Sequence, residues 1–150
     1  MANLIFSVLF LSVVSLASSS DCKLATDALK NYIKLDTDGK TTHPSKQVDR
    51  LVYSKGRDTA AFDSMTIVFS TKIKDCTKKN ADLELHVNYN VLGILASNAT
   101  KKELASVLSS KAKETTESFT MVKDGKSWKI DSSSILQPHI GINAAKNLIK

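Results

Sequence analysis

"DLELHVNYNVL", Asp82 to Leu92, alternates apolar and polar residues without a slip. A strict period of two marks a strand with one buried and one wet face. Leu83, Leu85, Val87, Tyr89 and Val91 form the apolar row, and Glu84, His86, Asn88 and Asn90 the polar one. Burying a side chain such as Leu or Val contributes roughly 1.5–3 kcal/mol. The apolar row therefore fixes how the strand sits, and the polar row is expected on the outer, solvated face.

The sequence on either side extends this strand into a sheet. Upstream, "TIVFSTKIK" (66–74) places Ile67, Phe69 and Ile73 on one face and Ser70, Lys72 and Lys74 on the other, with "DCTKKNAD" (75–82) as the hairpin turn. Downstream of Gly93, Thr100 and Glu103 have capping-box spacing ahead of Leu104 and Leu108, which predicts a short helix. "ESFTMVKDGKSWKID" (117–131) then reads as two strands joined by Asp124-Gly125, with Trp128 and Ile130 facing the same way. The tail turns at Pro138 and Gly141, and Ile142, Ala145 and Ile149 predict a final helical turn or two over one end.

Before the strands, "DCKLATDALKNYIKLDTDGK" (21–40) spaces Leu24, Ala25, Ala28, Leu29, Tyr32, Ile33 and Leu35 along one side of a helix capped by Asp21 and followed by Gly39. "THPSKQVDRLVYSKG" (42–56) predicts a shorter helix after Pro44, with Val48, Leu51 and Val52 inward and Gly56 at its end; "DTAAFDSM" (58–65) fits either a loop or a helical turn. With no internal repeat or linker, the reading is one α+β domain over 20–150, its N-terminal helices packed on an antiparallel sheet.

"LIFSVLFLSVVSLA" (4–17) precedes the first charged side chain, Asp21, and is followed by Ser18, Ser19 and Ser20. This is the form of an export signal, assigned to 1–19, with cleavage after Ala17 or Ser19. A membrane span needs about 20 apolar residues. This run is shorter and is broken by Ser7, Ser12 and Ser15. The expected mature protein has no transmembrane segment and is secreted or periplasmic. Its lysines and arginines outnumber its acids 21 to 15, a formal charge of +6, yet only Arg50 and Arg57 are arginines. Nucleic-acid recognition favours the planar guanidinium, so the charge reads instead as solubility and weak attraction to anionic surfaces. Cys22 and Cys76 are an even pair in an exported chain, which predicts a disulfide.

Motifs for chemistry are sparse. "LDTDGK" (35–40) fails as a calcium loop, because Lys34 and Ser45 fall where the first and twelfth ligands belong. His43, His86 and His139 lie in separate segments without ligand spacing, so neither metal nor cofactor is expected. No nucleophile elbow or Cys-His signature is present. His86 and Glu84 share a strand face and could form a carboxylate-oriented imidazole, but a solvent-facing histidine accounts for them and is the reading taken. Asn98-Ala99-Thr100 is a glycosylation sequon if the chain follows a eukaryotic secretory route.

The order of elements, and above all the closing "FTMVKDGKSWKID" (119–131) with Phe119, Val122, Lys123, Gly125, Trp128, Lys129 and Ile130, resembles the nuclear-transport-factor-2-like superfamily, in particular its exported bacterial members of unknown function. The resemblance implies a cystatin-like α+β cone, a curved sheet wrapped around helices and a pocket. It would make Tyr32, Phe69, Leu85, Val87, Tyr89 and Trp128 the pocket walls. It implies a non-enzymatic domain that holds a small apolar or lipid-like ligand or meets a protein partner. A lyase or isomerase using Tyr32 and Asp63 is the alternative. Members often pair through the outer sheet face, which here implies a weak homodimer through the Glu84-to-Asn90 row.

Overall fold

A computed structural model describes residues 19–43, 45–53 and 62–149. The expected leader lies outside the described residues apart from Ser19, as does Gly56, the expected end of the second helix. In chain order the elements are α1 (Ser19–Thr37), α2 (Lys46–Asp49), β1 (Val52–Tyr53), β2 (Ser64–Lys79), β3 (Asp82–Ala96), α3 (Lys101–Leu108), β4 (Lys113–Asp124), β5 (Ser127–Asp131), a single 3-10 turn over Ser132–Ser134, β6 (His139–Gly141) and α4 (Ile142–Leu148). The six strands form one strongly curled sheet in the order β1-β5-β4-β3-β2-β6. The sheet is mixed rather than purely antiparallel: the central strands are antiparallel, whereas β1 on β5 and β6 on β2 are parallel.

The hairpin β2–β3 is longer than the alternation suggested. Most of "DCTKKNAD" belongs to the strands, and the turn is only Asn80-Ala81, with Asn80 taking a positive φ of 60°. Its ladder slips three times, between Ile67 and Val68, Val68 and Ser70, and Ile73 and Asp75. Such bulges bend and twist a strand, and here they curl the sheet. The slip that leaves Phe69 unopposed also reverses the alternation around it. Val68 turns inward, and Phe69, expected in the core, is 68% exposed.

Two cores result. On the concave face α1 lays Ala25, Leu29, Tyr32 and Ile33 against Val68, Leu83, Leu85, Val87, Tyr89, Phe119, Met121, Trp128 and Ile130. At the other end Met65, Ile67, Leu95, Leu104, Ile140, Ala145 and Ile149 pack together, so α3 and α4 cover the part of the sheet that α1 does not reach. The capping box forms as expected, Thr100 and Glu103 satisfying each other's backbone N–H groups at the start of α3. Gly93 lets α3 approach β3: a Cβ there would lie 3.1 Å from Val107.

The second helix is shorter than expected. Ser45 caps it, and Val52, assigned to that helix from its spacing, instead begins the edge strand β1. In α1, Leu24 is exposed, and Asp21 lies within the first turn instead of capping it. The Asp21 carboxylate accepts a hydrogen bond from Trp128 Nε1 at 3.1 Å. Cys22 and Cys76 form a disulfide with their Cα atoms 5.9 Å apart, joining α1 to the far end of β2.

Candidate functional site

The outer polar row is engaged across the strands. Asn90 donates to Ser70 Oγ at 2.7 Å, and Asn88 accepts from the Thr116 hydroxyl at 2.9 Å. Glu84 pairs with Lys79 at 3.0 Å, and His86 lies 2.6 Å from Asp75 through Nδ1 and 3.5 Å from Glu84 through Nε2. Apart from His86–Glu84, two residues apart on β3, these are cross-strand pairs on a solvated face. His86 touches acids, but on the convex surface and not in a hollow.

Among the described residues, four of the expected pocket walls are packed in the core. Leu85, Val87 and Tyr89 are 0% exposed and Tyr32 is 1% exposed. A void large enough for water beside any of them would give it accessible surface. Trp128 is buried too, and Phe69 points outward. Nor do Tyr32 and Asp63 meet. Tyr32 packs near Phe119, which pairs with Leu85, while exposed Asp63 accepts from the Ser97 backbone beyond the other end of β3. Along β3 that separation is more than ten residues, a strand length of roughly 35 Å.

The interior does hold charge. His139, on β6, is stacked on Tyr89 with ring centroids 4.0 Å apart and planes 11° from parallel. Its Nε2 lies 3.0 Å from Glu117 of β4, its Nδ1 3.5 Å from Asp36 of α1, and its backbone N–H donates to Asp36 Oδ2 at 2.9 Å. The second Asp36 oxygen accepts from the Thr41 hydroxyl. Burial disfavours the imidazolium, but hydrogen bonds to Asp36 and Glu117 and their charge outweigh it, and the His139 pKa is raised to about 9. Burial, with Asp36 and Glu117 nearby, pushes the Tyr89 phenol far above its ordinary value, and among the described residues its hydroxyl has no hydrogen-bond partner.

Sequence reasoning missed this cluster, although it left a mark. Asp36 continues the α1 stripe of Leu29, Tyr32 and Ile33, and Glu117 continues the inward row of Phe119 and Met121. An acid on an otherwise apolar row calls for a buried partner. Only 3% of the His139 side chain is exposed. The cluster is a clasp joining α1, β4 and β6. Among the described residues, no group of three or more His, Cys, Asp or Glu could hold a metal ion.

An open groove lies between α1 and the edge of β2, which among the described residues has no strand partner on that side beyond Val68. The groove, about 650 Å³, is lined by Lys30, Ile33 and Lys34 from the helix and by Lys72, Ile73 and Lys74 from the strand. It ends at Cys76, where the disulfide ties α1 to β2. A second groove of about 480 Å³ shares Thr37 and Thr71 with the first and contains Phe69. Asp75 is the one acid lining the first groove, and it is engaged by His86. A third cleft, about 290 Å³, is lined by His43 and Asp63 among others. Among the described residues no helix is long and apolar enough to cross a membrane.

Comparison with family models, curated proteins and solved structures finds no match to this chain.

Proposed function

We propose that this is an exported, non-enzymatic binding domain whose binding surface is the basic groove between α1 and the open edge of β2. The observation that carries it is the groove's lining, which includes four lysines, Ile33 and Ile73, and one acid that is already paired. Clefts lined by one sign of charge concentrate oppositely charged partners, and the chain's overall +6 adds to that attraction. The buried row on the concave face argues for placing the ligand in this groove and against a cone interior. Export is supported by the apolar leader and by a disulfide suited to an oxidising compartment. A curled sheet with a helix across its concave face is consistent with the nuclear-transport-factor-2-like resemblance, which we retain as part of this proposal.

The test is binding of fluorescein-labelled poly-glutamate to the disulfide-bonded protein, read by anisotropy at two salt concentrations. Binding that weakens with salt and falls at least tenfold in Lys34→Glu/Lys72→Glu is expected. Equal binding by the wild type and this variant would remove the groove from the function.

A further inference from the structure

We propose that the groove takes an extended acidic peptide, which adds as a further strand to the open edge of β2. This rests on the groove being the binding surface and specifies what it binds. β6 covers β2 only from Thr66 to Val68. Beyond that point, among the described residues, β2 has β3 on one side and no strand on the other. In an edge strand, alternate N–H and C=O groups point away from the sheet and form a template for another chain. Ser70, Thr71, Lys72 and Ile73 keep an unbroken register with β3 between the slips at Phe69 and Lys74. That regular stretch lines the groove through Thr71, Lys72 and Ile73, Ile73 on the inner face opposite Val87 and Lys72 on the outer face opposite Asn88. Added strands derive affinity from the main chain and specificity from alternate side chains.

Charge selects the occupant. A second copy pairing through the same edge would bring Lys72 and Lys74 against their own counterparts, and like charges placed opposite one another are destabilising. Edge lysines are a common guard against self-pairing. The same lysines, with Lys30 and Lys34 across the groove, complement a strand carrying acids. Between them Ile33 and Ile73 offer an apolar strip, so the favoured partner alternates acidic and apolar residues. The disulfide at the Cys76 end holds the helix wall in place before any peptide arrives, so the protein side has less to order on binding.

The experiment uses the intact, disulfide-bonded protein and the peptide acetyl-Glu-Val-Glu-Val-Glu-Val-amide. Two versions N-methylated on alternate residues and a Lys-Val peptide of the same length accompany it. The acidic peptide is expected to bind at least tenfold more tightly than the Lys-Val peptide. One N-methylated version, the one whose methyls face β2, should lose at least tenfold while the other keeps most of its affinity. The Thr71–Ile73 amides should gain protection from hydrogen exchange on binding. If both N-methylated versions bind as well as the parent and no protection appears, strand addition is wrong even where Lys34→Glu/Lys72→Glu still weakens binding. If the acidic peptide binds no better than the Lys-Val peptide and the lysine substitutions change nothing, the groove reading falls with it.

Discussion

Raising the pH should weaken this fold through one imidazole. His139 has an ordinary pKa of 6.5 and a folded value of about 9, raised despite burial by its contacts with Asp36 and Glu117. A group whose pKa is raised in the folded state stabilises the fold fully below its unfolded pKa, and loses that contribution as the pH passes through the folded value. The window is therefore from about 6.5 to about 9. At about 1.4 kcal/mol per pKa unit, the contribution lost is about 3 kcal/mol. For a domain of this size that amounts to roughly 10 °C in Tm. Urea unfolding at intervals from pH 6 to 9.5 measures the loss. Following the imidazole C–H resonance of His139 by NMR separates it from His43 and His86. Glu117→Gln should lower the His139 pKa and shrink the pH-dependent loss while keeping the ring. Stability that is flat across the window, or a His139 resonance titrating at or below 6.5, would refute the reasoning.

Three further outcomes follow from the same contacts. Tyr89→Phe should leave stability unchanged or raise it by about 1 kcal/mol, since the buried hydroxyl has no partner among the described residues to offset its desolvation; thermal unfolding of the two proteins side by side decides it. Replacing both cysteines by serine removes a link across 54 residues and should cost up to about 4 kcal/mol by chain entropy, read as a lower urea midpoint. His86→Ala should change stability by no more than about 1 kcal/mol, because its contacts with Asp75 and Glu84 lie on a solvated face; a larger loss in urea unfolding would show that the convex row carries more than surface pairing.

Period and turn chemistry made the core of β3, the β4–β5 hairpin at Asp124-Gly125, the capping box of α3 and the helix α1 readable from sequence. These elements are decided by local spacing, and each kept its expected type. The errors lie where tertiary pairing overrides spacing. Phe69 obeys the alternation of its neighbours, and only the register with β3 shows that a bulge displaces it outward. Val52 has helical spacing, yet its strand forms because β5 offers a parallel edge. The groove was not legible at all. Lys30 and Lys34 read as an ordinary solvated helix face until the fold sets α1 beside β2, so that they line one groove with Lys72 and Lys74. The His139 cluster was half legible, as two acids on inward rows whose shared partner lies far away in sequence.

The charged cluster and the groove are connected through α1. At its N-terminal end the helix is fixed by the Cys22–Cys76 bridge and by the Asp21–Trp128 hydrogen bond, and near its C-terminal end by Asp36 on His139. Lys30 and Lys34, the helix wall of the groove, lie between these points. A buried ion pair is weak support for stability by itself, since well-packed apolar residues can often replace one at no loss. What apolar packing supplies less well is position, because it tolerates a helix that slides or rotates. A carboxylate that must meet a ring nitrogen, a backbone N–H and a hydroxyl at once tolerates neither. On that view the buried charge sets where α1 stands relative to the edge of β2, and hence the width of the groove that Lys30 and Lys34 line from the helix and Thr71 to Lys74 from the strand.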